Sequence, residues 1–334
     1  MSVKGFKAFN KGMKCKDKQY EENTTYEENG NEICEAGVMH FCENPFDVLD
    51  YYPLVDENGD ISDFAEVEAV GDIYKKGDKS ATNKLHIGAK LGLKGFIKAC
   101  VDFTIEKARI EPTKDNEADN SNKNSAKIGS SGDSAKIGSS GYYAKIGSSG
   151  DSAQIGSSGD FAQIGSSGDY AQIGSSGDSA QIGSSGDSAQ IGSSGDSAQI
   201  GSSGDSAKIG SSGDSAKIGS SGDYAKIGSS GDSAKIGSSG DYAKIGSSGD
   251  SAQITSEGKN SVVMAAGYNS IARAKIGSWI TLAEWIRADK TDDKGNYIWI
   301  PKCVKTECVD GERIKEDTFY KLVDGEFKEA ESEE

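Results

Sequence analysis

The side chains suited to chemistry are few, and they lie outside the longest feature of the chain. Cys34, His40 and Cys42 are close together, with Cys15 upstream. Four soft ligands would suit zinc, and strand alternation could place His40 and Cys42 on one face. The spacing C-x5-H-x-C matches no standard knuckle, so buried structural thiols are the expectation. Cys303 and Cys308 are separated by four residues with no second Cys/His pair after them, which argues against zinc there as well. Only two histidines occur in 334 residues, so His-based acid–base chemistry has few candidates. There is no Ser/His/Asp set, no phosphate-cradling glycine loop followed by Lys-Ser/Thr, and no paired acids in a recognisable frame. These residues point away from an enzyme and imply no cofactor and no metal.

A second kind of candidate is a set of rows. From Ser125 to Ile254 the chain runs through fifteen nonapeptides of the form (S/Y/F)-A-(K/Q)-I-G-S-S-G-D. Short-period self-similarity marks a solenoid, with a disordered Gly/Ser linker as the alternative. Two features favour the solenoid. Ala and Ile stay two residues apart in every unit, which is strand spacing and puts both on one face. Variation falls only at positions that would point outward. Each unit is therefore expected to hold a strand, (S/Y/F)-A-(K/Q)-I, and a tight turn, G-S-S-G-D. Gly would supply positive φ, and Asp would close an Asx-type turn. Two units, 18 residues, make one coil with two facing sheets and a thin Ala/Ile core, about seven and a half coils in all. Tyr143 and Phe161 are 18 apart, as are Tyr224 and Tyr242, so each pair should stack.

The outward rows are the expected binding surface. One carries Tyr143, Phe161, Tyr170, Tyr224 and Tyr242, and another carries Lys208, Lys217, Lys226, Lys235 and Lys244. Gln replaces Lys without a break from Gln154 to Gln199. Stacked Gln can hydrogen-bond along a ladder, although duplication history is the simpler explanation. Two known uses of repetitive β-faces fit poorly. The calcium-binding nonapeptide G-G-x-G-x-D-x-U-x needs its Asp one place later than here. Ice-binding faces present small hydroxyl rows, not Lys and Gln broken by Tyr.

The remaining sequence must position and protect these rows. Residues 1–110 look like an α+β domain that caps the solenoid: strands near 4–9 and 19–26, a helix over 45–52 with Asn44 as N-cap, a strand over 64–70, and a helix over 90–109. That last helix could lie across the first coil and shield its edge. Residues 111–124 read as a linker, and 125–277 as the solenoid with a degenerate last coil in which Ala274-Lys275-Ile276-Gly277 is a final echo. Residues 278–328 read as a small β-rich domain with strands near 279–286, 297–305 and 318–322, and 329–334 as an acidic tail. The fold class is thus mainly β, a two-sided β-solenoid flanked by an α+β domain and a small β domain. The net charge is −16. Eight Lys and thirteen Asp make the repeats −5, which leaves −11 for the ends. An acidic chain repels phosphate backbones, which argues against direct nucleic-acid binding. No apolar run approaches 18 residues, and the start lacks a signal-peptide core. The cysteines are then expected as free thiols in a reducing cytoplasm.

Several strings carry a resemblance. "KGFKAFNKGMKCKDKQYEE", "CEAGVMHFCENPFDVLDYYP", "FAEVEAVGDI" and "KLHIGAKLGLKGFIKA" resemble a domain of unknown function common in phages and prophages of gut bacteria and Firmicutes. Its members continue into Gly/Ser/Ala-rich repeats and an ending similar to "AEW…IKEDTFYKLVDGEF". The resemblance implies a bacterial host cytoplasm, or a virion for a structural component, and carries no catalytic residues. A weaker likeness joins Gly37, Asn44, Pro45 and Tyr51 to a segment of ADP-ribosyltransferase-like folds, which would imply an NAD enzyme. The function expected first is a non-enzymatic scaffold or binding protein that presents its rows to a protein partner, with no membrane contact and room for a homo-oligomer. A phage-encoded inhibitor or decoy of a host defence factor is the alternative.

Overall fold

The computed structural model describes residues 2–30, 37–76, 79–108, 118–291 and 294–331. At its centre is a β-solenoid of about nine turns, two strands per turn. Parallel strands from Ala118–Ser121 to Val262–Ala265 form one sheet, and those from Lys127–Ser130 to Ile271–Arg273 form the other. Pairing is in register at an offset of 18: Gln172 meets Gln190, Ile173 meets Ile191, Gly174 meets Gly192 and Ser175 meets Ser193. Each residue type therefore forms a column of its own. The solenoid begins at Ala118–Ser121, inside the stretch expected as linker, and 109–117 lie outside the described residues.

The strand in each unit is Lys/Gln-Ile-Gly-Ser, two residues later than expected. Ile and Ser point inward, Lys/Gln and Gly outward, and Ala is buried beside Ile. The Ile columns of both sheets fill one continuous core, each side chain contributing about 2 kcal/mol by burial. The residue before Ala lies in the turn, in the left-handed region: φ is 56° at Ser197 and 57° at Tyr224. Glycine does not supply the positive φ. The glycine of Ser-Ser-Gly supplies close approach instead: a methyl group on Gly195 would sit 2.1 Å from the Gly177 carbonyl oxygen. Nor does Asp close its own turn. Its carboxylate accepts the backbone N–H of the Asp one coil on, as from Asp196 N to Asp178 Oδ1 at 2.9 Å and from Asp214 N to Asp196 Oδ1 at 2.9 Å. These bonds tie the like-charged columns together along the axis.

A left-handed Ser costs roughly 1 kcal/mol. The last coils use Asn260 and Asn269 at the same position, and Asn takes this conformation more readily. Ser197→Asn is therefore expected to stabilise the chain by ~0.5 kcal/mol, read as a rise in the urea midpoint. A fall would show that the hydroxyl, not the backbone, decides this position.

Both sheets continue into the C-terminal segment instead of giving way to a separate module. Trp279–Thr291 pairs parallel to Val262–Ala265 and returns antiparallel as Tyr297–Cys308. Tyr320–Val323 and Glu326–Glu329 extend the other sheet as a hairpin. The Ala274-Lys275-Ile276-Gly277 echo is a turn, with Gly277 at φ +86°, because Ile271–Arg273 already fills the strand register on Gln253–Thr255.

The N-terminal domain is a seven-stranded antiparallel sheet in the order Thr24–Glu27, Lys84–Leu91, Asp63–Ala69, Val3–Phe9, Met39–Cys42, Lys79–Thr82, Ile73–Lys76. The strand expected over 19–26 is broken at Asn23, which has φ 54°. The 45–52 helix is a 3-10 helix, Pro45–Asp50, with Asn44 Oδ1 accepting the Phe46 N–H. Helix α1 (Leu93–Ala108) packs on this sheet through Phe96, whose ring stacks on Phe64 at 3.7 Å. It touches the first coil at Lys127–Ser130 but does not stop there. It lies along one face of the solenoid, across many coils.

Candidate functional site: two equal troughs, one covered

The outer face of each solenoid sheet has the same three columns: Lys/Gln, Gly, and the second Ser of Ser-Ser. Glycine between two side-chain columns makes a trough. On the Lys127–Arg273 sheet, α1 fills it. A methyl group on Gly219 would lie 3.4 Å from Leu93, one on Gly201 3.0 Å from Ile97, one on Gly183 3.3 Å from Val101, and one on Gly165 3.1 Å from Thr104. These residues recur at helical spacing, and the two periods nearly agree. One helical turn rises ~5.4 Å, and one coil rises ~4.8 Å. Each turn of α1 thus seats one side chain per coil, three of them apolar and the fourth Thr104.

Polar groups match along the rim. Gln163 Nε2 donates to Asp47 and to Gln181 Oε1, Gln181 Nε2 donates to Asp50, and Gln199 Nε2 donates to the Leu49 carbonyl, at 3.1–3.2 Å. Lys235 pairs with Glu57. Lys217 and Lys235, expected in the outward row, thus face the N-terminal domain, and burial holds Lys217 below the ordinary lysine range. Gln under the domain also has a physical reason beyond duplication, since it makes these bonds without burying an ammonium.

Arg273 fastens the far end. Its Nη2 lies 2.5 Å from Asp60 and 3.0 Å from the Gly59 carbonyl, its Nε lies 3.2 Å from Thr255, and its guanidinium covers the Phe319 ring at 4.4 Å. Burial opposes ionisation of Asp60, but Arg273 and Lys11 outweigh it and hold the carboxyl below its ordinary 3.8. A depressed folded-state value stabilises above the ordinary value and is lost as pH falls through the lower one. The docked domain is therefore expected to loosen below about pH 4. Arg273→Ala should destabilise docking by ~2 kcal/mol at neutral pH and flatten that acid limb. Hydrogen exchange of the α1 amides against pH, for the wild type and for Arg273→Ala, checks this.

The trough of the other sheet is bare. It holds about 1050 Å³, floored by Gly138, Gly156, Gly174, Gly192, Gly210 and Gly228. Its Lys/Gln rim is Lys136, Gln154, Gln172, Gln190, Lys208, Lys226 and Lys244, all exposed. Ser176, Ser194 and Ser212 line the other side. A methyl group on Gly156, Gly174, Gly192, Gly210 or Gly228 would meet nothing within 4 Å. Lys208, Lys226 and Lys244 are thus where the sequence places them. Tyr143, Phe161, Tyr170, Tyr224 and Tyr242 are exposed on the turns, not on the sheet faces. Tyr143 stacks on Phe161 at 5.1 Å and Tyr224 on Tyr242 at 5.2 Å. The sequence reading missed the troughs because it placed glycine in the turn. The available signal was glycine two residues after the Lys or Gln of each unit but the last, where Thr255 follows Gln253.

In the N-terminal domain, Cys15, His40 and Cys42 line one cavity of about 290 Å³, while Cys34 lies outside the described residues. Cys15 Sγ lies 3.0 Å from Tyr52 Oη. Among the described residues, no three His, Cys, Asp or Glu side chains form a metal-ligand group, and no helix is long and apolar enough to cross a membrane. Of the ADP-ribosyltransferase-like positions, Asn44 caps the 3-10 helix and donates to Gln163 at 3.2 Å.

These features define a two-sided β-solenoid repeat protein with an N-terminal sheet domain docked along one face. Residues 3–99 match the profile of a domain of unknown function, DUF7666. No curated protein matches the chain, and no solved structure matches it.

Proposed function

We propose that the chain is a non-enzymatic scaffold that binds a protein partner through the bare trough. The observation that carries this is the inequivalence of two equal troughs, one occupied by α1 and one open. The occupied one defines what fits: an apolar helix ridge with one side chain per coil. Carboxylates beside that ridge face the Lys/Gln column, as Asp47 and Asp50 of the 3-10 helix and Glu57 do. The resemblance to phage and prophage proteins supports looking for such a partner in an infected bacterial cell or a virion. Exposed Asp columns favour one second reading, an inhibitor that captures a basic host factor on its acidic turns.

A chain carrying Gly174→Val, Gly192→Val and Gly210→Val should fold and lose the partner that the wild type captures from its source cells. Retention of that partner by the filled chain, or no reproducible partner for the wild type, would sink this reading. Loss only after Asp→Asn changes along the turns would favour the inhibitor.

A further inference from the structure

The cavity of the N-terminal domain has a charge opposite to that of the chain. It lies where strands Val3–Phe9 and Met39–Cys42, paired at the single position Phe6↔Cys42, leave each other. Lys7, Lys16 and Lys79 line it together with His40, and no carboxylate does so among the described residues. In a molecule of net charge −16, three ammonium groups around one cavity without an acid is a departure that needs a cause.

Lys7 makes the point sharpest. It is 6% exposed, in the middle of the domain's central strand. Its ammonium donates to the His40 carbonyl at 3.0 Å, lies 3.9 Å from Cys15 Sγ, and sits 5.5 Å from the Phe9 and Tyr20 ring centres. None of these partners carries a full negative charge. An ammonium buried without a counter-charge is costly, and an apolar side chain of equal length would avoid the cost. Burial and the Lys79 charge hold Lys7 below the ordinary lysine range. Burial and the three lysines push His40 down to about 4, so its ring is neutral near pH 7. Its Nε2 is buried and has no hydrogen-bond partner among the described residues. Three lysines and His40 thus line one space, with Phe6, Val48 and Tyr51 forming its apolar wall.

We propose that this cavity binds a small organic anion, an apolar body of about ten to fifteen non-hydrogen atoms bearing a carboxylate or phosphate group. Lys7, Lys16 and Lys79 meet its charge, and the His40 ring lines the space beside them. The site is independent of the solenoid trough.

The test uses calorimetric titration of the full chain at matched ionic strength. The probes are benzoate, phenyl phosphate and the neutral isostere benzamide. One anion should saturate one site per chain, at least ~10-fold more tightly than benzamide. The tighter of the two anions assigns carboxylate or phosphate. Lys7→Met should weaken that anion by ~10-fold or more and leave benzamide unchanged. Lys16→Gln and Lys79→Gln, at the accessible side of the cavity, should each weaken it by ~3-fold or more, and they decide the matter if Lys7→Met fails to fold. No saturation by either anion, equal affinity for benzamide, or unchanged affinity in the Lys16→Gln/Lys79→Gln double variant would overturn the proposal.

Discussion

Gly195→Ala is expected to break the solenoid in its middle. The new methyl group would lie 2.1 Å from the Gly177 carbonyl oxygen, 2.5 Å from its carbon and 2.9 Å from Asp178 N. All three are backbone atoms, so no side chain can rotate away. The coil cannot shift either, because its neighbours hold it through Ser194 N to the Ser175 carbonyl at 3.0 Å and Asp196 N to Asp178 Oδ1 at 2.9 Å. Relief requires ~1 Å of separation between coils that stand ~4.8 Å apart, which abandons several of these bonds. A cost of ~3 kcal/mol or more is expected. Because the backbone of each coil pairs only with the coils on either side of it, the defect should divide the array into two shorter folding units, with the docked α1 as their remaining link. Urea unfolding of Gly195→Ala should therefore show two transitions below the single wild-type midpoint, or yield insoluble chain. Gly192→Ala, three residues away and facing open space, should unfold like the wild type. Equal behaviour of the two variants would refute the close-approach role of the Ser-Ser-Gly glycine.

The repeat was legible in the sequence as far as its inward pattern allowed. Ala and Ile two apart require one buried face, and the 18-residue aromatic spacing fits two units per coil because Tyr143 and Phe161 stack only if that period holds. The phase of the strand was not legible. Gly-Ser-Ser-Gly reads locally as turn, and only tertiary stacking makes its first two residues strand, since backbone pairing with identical neighbours overrides a weak local preference. Nor could the docked face be found by composition. The two faces are nearly the same string, and what distinguishes them is an α1 ridge (Leu93, Ile97, Val101) more than 60 residues upstream of the glycines it fills. Lys7 was invisible for a related reason. In "KGFKAF" it reads as an outward strand residue, and only the parting of two strands turns it into the wall of a cavity.

The equality of the two faces makes the second prediction sharp, because the same substitution should have opposite consequences nine residues apart. Gly201→Val places a branched side chain where a single methyl group would already meet Ile97 at 3.0 and 3.1 Å. Ile97 cannot retreat, because α1 is held from behind by Phe96 stacked on Phe64. The solenoid backbone cannot retreat either, because Gly201 is paired in register to Gly183 and Gly219. The conflict should therefore be resolved by lifting α1, at ~2–3 kcal/mol. Gly192→Val meets nothing within 4 Å and replaces glycine in a strand by a residue that favours it. It should leave stability unchanged or raise it by ~0.5–1 kcal/mol. Hydrogen exchange separates the cases. In Gly201→Val the amides of α1 should exchange ~30- to 150-fold faster than in the wild type while the Ile columns keep their protection. In Gly192→Val both should match the wild type. Faster exchange of α1 in both variants would mean that docking depends on the solenoid as a whole and not on the covered trough. No change in either would mean that α1 is held by the N-terminal sheet alone. Only the asymmetric result is consistent with a repeat that offers one helix-binding surface twice and uses one of the two within its own chain.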